Sequence, residues 1–277
     1  MIRAGVMGWP VEHSRSPALH GFWLEQYRIA GDYVLLSVPP ERLEAALRAL
    51  PVDGFAGCNL TLPHKEEALR LVDRADATAR RIGAVNTIVV AADGTLEGRN
   101  TDAFGFHENL ATSVPGWRAA SGPAVVLGSG GAARAVVASL LDRSAPEIRL
   151  LNRHRERAEA LAAALGGPIT ILDWEERASA LDGAALLVNA TSLGQAGQPP
   201  LALALDALPK GAVVNDIVYV PLETPLLAAA HARGNSVVDG LGMLLHQARP
   251  AFAAWFGVMP EVTPELRRRI MAGSAQR

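Results

Sequence analysis

Ala124-Val-Val-Leu-Gly-Ser-Gly-Gly-Ala-Ala-Arg134 joins a short apolar run to a segment of helical period, and this junction decides the fold. Residues 124–127 read as a buried strand, and 132–141 as the helix behind it. Between them lie Gly128, Ser129, Gly130, Gly131, Ala132 and Ala133. Glycines there permit a tight turn and close backbone approach to a diphosphate. The helix N-terminus offers that anion N–H groups and the positive end of its dipole. Ala133 takes the third position of the G-x-G-x-x-G/A fingerprint, where a small side chain lets helix and strand pack. No Gly-Lys-Ser/Thr follows, so this is not a P-loop.

The next strand, 148–151, runs into Asn152-Arg153-His154-Arg155. A site for NAD(H) normally carries an acid at this point, to bind the ribose 2′-hydroxyl. Here there is none, and Arg153 offers a guanidinium fork suited to phosphate. His154, Arg155 and Arg157 add positive charge where the helix dipole disfavours it. The expected cofactor is therefore NADP(H) rather than NAD(H).

Outward from this centre, short apolar runs alternate with helix-period segments. Strands are expected at 2–7, 33–38, 54–60, 85–91, 95–99, 169–172, 184–189, 213–216 and 236–238. Helices are expected at 17–30, 41–50, 103–112, 155–165 and 241–256. Ser16 is read as an N-cap before Pro17. Asp93-Gly94 marks a hairpin, because both turn positions favour positive φ. Such alternation implies right-handed βαβ crossovers and mostly parallel sheets. The expected fold class is α/β: two three-layer α/β domains across a cleft, the second a Rossmann dinucleotide-binding domain. A substrate-binding catalytic domain would span 1–102, completed by 241–277, and the NADP domain 103–240. Helices near 103–112 and 241–256 would serve as hinges.

Composition excludes several classes of function. With 277 residues, 26 basic and 28 acidic, the chain lacks the basic excess of a nucleic-acid or membrane-surface binder. Cys58 is the only cysteine, so no internal disulfide forms and a buried strand thiol is expected. No apolar run reaches the roughly 20 residues that span a bilayer, and the N-terminus does not read as a signal peptide. A cytoplasmic protein, monomer or homodimer, is expected.

Polar groups with Gly or Pro recur at the expected strand ends of the first half. They are Gly8-Trp-Pro-Val-Glu-His-Ser14-Arg-Ser16-Pro17, Asn59-Leu-Thr61-Leu-Pro-His64-Lys65, Gly83-Ala-Val-Asn86-Thr87 and Asn100-Thr101-Asp102. Singly each suits an ordinary cap or turn; four in one small domain suggest a ligand site. Lys65 and Asp102 are the pair for proton transfer to the oxygen of an alcohol or ketone as hydride moves at its carbon. His64 is the alternative acid–base, although nothing in sequence orients its ring. The seven histidines show no metal-ligand spacing, so no metal is expected.

These stretches resemble the shikimate dehydrogenase family in order along the chain: G-x-P-x-x-H-S-x-S-P, N-x-T-x-P-x-K, G-A-x-N-T, N-T-D, G-x-G-G-A-x-R and the N-R strand end. Asn189-Ala-Thr191-Ser192, Asp216-x-x-Tyr219-x-Pro and Gly240-x-x-Met243-Leu-x-x-Gln247-Ala continue the match. The resemblance implies NADPH-linked, reversible reduction of 3-dehydroshikimate to shikimate, a step toward chorismate and the aromatic amino acids. It implies that Ser14, Ser16 and Tyr219 bind the carboxylate of this small anionic substrate. Asn59, Thr61, Asn86, Asp102 and Gln247 would surround its hydroxyls and ketone, with Lys65 and Asp102 catalytic. Residues 128–133 would cradle the diphosphate, Asn152 and Arg153 the 2′-phosphate, and Thr191, Gly240 and Met243 would line the nicotinamide pocket. Trp9 is bulkier than the family's usual residue, and His154 stands where NADP-specific members often carry Thr. The rivals are a quinate/shikimate dehydrogenase using NAD or quinate, a methylenetetrahydrofolate dehydrogenase, and a silent NADP-binding regulatory protein.

Overall fold

A computed structural model describes residues 1–272. In chain order the elements are β1 (Ile2–Gly8), α1 (Ser16–Tyr27), β2 (Gly31–Ser37), α2 (Leu43–Ala49), β3 (Phe55–Leu60), α3 (Lys65–Leu71), β4 (Arg74–Ala75), α4 (Ala77–Ile82), β5 (Thr87–Val90), β6 (Leu96–Arg99) and α5 (Asp102–Ser113). They continue with β7 (Ala124–Leu127), α6 (Gly131–Asp142), β8 (Ile148–Leu151), α7 (Arg155–Leu165), β9 (Ile169–Leu172), β10 (Leu186–Asn189), β11 (Val213–Asp216), α8 (Pro225–Ala232), β12 (Ser236–Val238), α9 (Gly240–Phe256) and α10 (Pro264–Ala272). The chain forms two units, one of Met1–Thr101 with the chain from Gln247 onward, the other of Asp102–His246.

The second unit holds a six-stranded sheet in the order β12-β11-β10-β7-β8-β9, parallel throughout. Counted from β7, this is the doubly wound order of a Rossmann fold, whose direction reverses between β7 and β10. Alternate residues of each strand face opposite sides. Val126, Ile148, Leu150, Leu186 and Val188 pack with Phe106, Val136, Val137, Leu140 and Leu161 on one face. Val125, Leu127, Leu151, Leu187 and Val214 pack with Leu181, Leu226 and Leu227 on the other. A sheet buried on both faces has strands that are apolar at nearly every position, and β7 and β10 are buried at all four of theirs.

The first unit's sheet runs β2-β1-β3-β5-β6-β4. Its β1, β2 and β3 are parallel, as expected, and so are β4 and β6, while β5 runs antiparallel to its neighbours β3 and β6, so this sheet is mostly parallel with one reversed strand. The β5–β6 hairpin turns at Asp93-Gly94: Gly94 has φ +84, and Asp93 accepts from the Thr95 N–H at 2.9 Å. One core cluster joins Met7, Cys58, Leu60, Ile88 and Leu96 to Leu43, Leu47, Ala68 and Ala79. A second is aromatic, bringing His20 and Trp23 of α1 against Tyr33 of β2 and Phe252 and Trp255 of α9. Cys58 is fully buried, and burial pushes its thiol well up, as the single-cysteine reading expects.

Ser16 is not an N-cap. It is the first residue of α1, whose cap, Arg15, makes no side-chain cap bond. The Ser14 Oγ accepts from the Ser16 N–H instead, at 3.3 Å, so the serine two places upstream holds the turn. The 41–50 segment opens with a 3-10 turn at Pro40–Arg42 before α2. Among the described residues, no helix is long and apolar enough to cross a membrane.

Candidate active site

The glycine turn stands where the second unit's sheet reverses direction. Gly128 leaves β7 at φ +109, and a side chain there would meet the Ala190 carbonyl, at 2.8 Å from a Cβ, and the Thr191 methyl. Both conformation and contact require glycine. Gly130 caps α6, and a Cβ there would meet only open space. That helix has no side-chain cap and no acid in its first turn. Its leading N–H groups, around Gly131 and Ala132, therefore suit an anion, while Ala133 is fully buried against the sheet. A diphosphate fits this cradle.

At the end of β8 the basic residues divide. Arg155 is committed, through Nε to Glu159 at 3.0 Å and through Nη1 to Asp173 at 2.5 Å. These two carboxylates raise its already high pKa. Arg153 is exposed and has no hydrogen-bond or ion-pair partner among the described residues. Asn152 donates to the His154 carbonyl at 2.9 Å, which orients its amide beside Arg153. His154 Nδ1 lies 3.7 Å from Glu156.

The loops after β10 and β11 are tied through a buried carboxylate. Asp216 has no exposure, and its Oδ1 accepts from Asn189 Nδ2 at 2.9 Å and the Val218 N–H at 3.0 Å. Its Oδ2 accepts the Thr224 hydroxyl at 2.7 Å. Burial raises its pKa against these three bonds. With its amide so turned, Asn189 Oδ1 accepts from the Thr191 hydroxyl at 2.7 Å and the Thr191 N–H at 3.1 Å. Tyr219, half-buried, follows Val218 in the second loop. At Gly240 any side chain would run into the Ile217 carbonyl, and Met243, on the next turn of α9, packs in the core with Phe106 and Val238.

In the first unit the expected ligands interlock. Asn86 is 2% exposed; its Oδ1 accepts from the Thr101 N–H at 2.9 Å and from the Thr87 hydroxyl at 3.0 Å. Its Nδ2 donates to Thr101 Oγ1 at 3.0 Å and to Gln247 Oε1 at 3.4 Å. Asn59 Nδ2 donates to the Asn86 carbonyl at 3.2 Å and to Thr87 Oγ1 at 3.1 Å. Thr61 is fixed through its own N–H, which donates to the Met7 carbonyl at 3.0 Å. A little further along the chain, Lys65 opens α3 and its carbonyl accepts from the Val85 N–H at 2.8 Å. Ser14 and Lys65 are half-buried, while Ser16 is buried. Asp102, 5% exposed, opens α5 and with it the second unit.

Two features lay outside the sequence reading. His64 does have an orienting partner: its ring is 1% exposed, with Nε2 at 2.8 Å from the Val38 carbonyl. The Asp216 hub was visible only as one letter of a motif, since its partners come from three segments. Trp9 is 48% exposed, and its N–H donates to the Leu62 carbonyl at 3.1 Å. Among the described residues no group of three or more His, Cys, Asp or Glu is placed to hold a metal ion.

A Rossmann unit with a glycine cradle, and a second α/β unit rich in buried amides and hydroxyls, define an NAD(P)-dependent oxidoreductase. Three family models match: the shikimate dehydrogenase substrate binding domain at residues 6–88, shikimate/quinate 5-dehydrogenase at 109–196, and the shikimate 5′-dehydrogenase C-terminal domain at 240–264. The chain is 65% identical over 269 residues to a shikimate dehydrogenase (NADP(+)) of Paramagnetospirillum magneticum, covering 97% of this chain and 98% of the relative. The structure of shikimate 5-dehydrogenase from Thermus thermophilus, in complex with NADP(H) and shikimate, superposes with a TM-score of 0.86 at 40% identity, over 98% of this chain and 99% of that one. A quinate dehydrogenase of Corynebacterium glutamicum in complex with NAD gives 0.91 at 31% identity, over 98% and 99%. The chain belongs to the shikimate dehydrogenase family.

Proposed function

We propose that the protein catalyses the reversible, NADPH-linked reduction of 3-dehydroshikimate to shikimate, in the cytoplasm, on the route to chorismate and the aromatic amino acids. The observation that carries this reading is the interlocked set Asn59, Asn86, Thr101 and Gln247. Neutral amides and hydroxyls of fixed orientation suit a small polyol, which buries hydroxyl groups that each need a partner. Ser14, Ser16 and Tyr219 take the carboxylate, and Thr61 joins the hydroxyl set. Bound NADPH supplies the hydride that reaches the ketone carbon. Lys65 delivers a proton to the ketone oxygen and withdraws it in the reverse direction, with Asp102 as the second catalytic residue. Gly128, Ser129, Gly130, Gly131, Ala132 and Ala133 hold the diphosphate, Asn152 and Arg153 the 2′-phosphate, and Thr191, Gly240 and Met243 border the nicotinamide.

The test is a spectrophotometric assay of NADP+ reduction with shikimate, with quinate and NAD+ as controls. Turnover of shikimate with NADP+ well above the other three combinations is expected. Faster turnover of quinate with NAD+ would instead place the protein with the quinate dehydrogenases. NADPH binding without any turnover would point to a regulatory role.

A further inference from the structure

A buried cluster lies behind the polar strand ends of the first unit, and none of the roles above uses it. Tyr33, in the middle of β2, is 6% exposed, and its hydroxyl donates to Asn59 Oδ1 at 2.7 Å. Burial pushes the phenol's pKa well above its ordinary range, so Tyr33 keeps its proton and remains a donor. Its ring lies flat on His20, with centroids 3.9 Å apart and planes 3° from parallel. His20 is fully buried, and burial pushes its imidazole down to about 3. Among the described residues, neither ring nitrogen of His20 has a hydrogen-bond partner. A neutral ring kept there without polar partners acts as a flat surface that holds the Tyr33 ring in one plane.

The amide of Asn59 shows what this arrangement controls. An amide has two N–H donors and an oxygen with two lone pairs. Both donors are engaged, to the Asn86 carbonyl and Thr87, and Tyr33 engages one lone pair. One acceptor position is left over. We propose that Tyr33 is a positioning residue for the substrate: its hydroxyl fixes the Asn59 amide so that this last lone pair faces a substrate hydroxyl. This rests on the shikimate reading above.

Tyr33→Phe removes one oxygen and keeps the ring and its stack. KM for shikimate should rise about three- to tenfold, the worth of one hydrogen bond, with KM for NADP+ unchanged and kcat nearly so. In an Asn59→Ala background the same substitution should leave KM for shikimate where it is, because the two act in series. Asn59→Ser serves for the cycle if the alanine variant does not fold. An unchanged KM in Tyr33→Phe, an equal rise in both KM values, or an effect that persists without Asn59 overturns the proposal. Wild-type protein that neither binds nor oxidises shikimate overturns the functional reading itself, and shows this before any variant is made.

Discussion

The two units handle polar ligands by opposite means. In the second, the glycine turn after β7 and the uncapped start of α6 present backbone, and the cation expected at the phosphate, Arg153, has no partner among the described residues. In the first, side chains predominate, and they bond to one another as Tyr33–Asn59–Thr87–Asn86–Thr101–Gln247. A backbone cradle tolerates any bearer of a diphosphate, because it reads only charge and shape. A locked set of amides recognises one pattern of hydroxyls, because leaving any member unpaired is costly. One unit thus suits a cofactor shared by many enzymes, and the other a substrate specific to one.

Substitutions can break that contrast, beginning with the largest expected effect. Lys65→Ala should lower kcat by about two to four powers of ten, the usual worth of a placed acid–base group, with NADPH affinity nearly unchanged by fluorescence titration. A loss below about tenfold would remove Lys65 from the chemistry. Gly128→Ala should weaken NADP+ binding by about ten- to hundredfold, since an L side chain at φ +109 is strained and crowds the Ala190 carbonyl. Shikimate affinity, which the proposed site draws mainly from residues of the other unit, should hold. Arg153→Ala should raise KM for NADPH by about tenfold or more and leave KM for NADH alone, whereas Arg155→Ala should change little, its charge being already matched. Equal effects at the two arginines would contradict the assignment.

The smallest expected effect is on stability. Burial raises the Asp216 pKa above its ordinary value of 3.8, so folding favours the protonated acid. That contribution is complete below the unfolded-state pKa and disappears as pH rises through the folded one. Asp216→Asn does not titrate. The Tm of wild type relative to this variant should therefore fall as pH is raised from about 3 to about 7. A constant difference would show that the three hydrogen bonds cancel the burial.

The same contrast governs what could be read in the sequence. Strands β7, β8, β9, β11 and β12, and helix α7, match the expected bounds, because each strand of this parallel sheet is a short, largely apolar block set off by glycine or polar residues. The glycine cradle is equally local, and its spacing carries its meaning. The first unit was harder. Strand β4 has only two residues, Arg74–Ala75, too few for any period, and exists because β6 offers it an edge. Helices α3 and α4 are seven and six residues long and carry little pattern. Asn59 and Asn86 were recognisable as candidates, but Tyr33 was not. It reads as one more strand aromatic until β2 and β3 are both placed beside β1, which brings residues 26 apart within hydrogen-bond distance.

Arg153 has one more consequence. An ion pair within the protein moves with its partner and is partly shielded from the medium, but a lone guanidinium at the surface acts through water. Its reach is set by dissolved ions, about 8 Å at physiological ionic strength and about 3 Å in molar salt. Discrimination between the phosphorylated and unphosphorylated dinucleotide then depends on the solution as well as on the protein. Raising ionic strength should narrow the NADPH-to-NADH preference steadily, while leaving recognition of the uncharged hydroxyls in the other unit almost untouched.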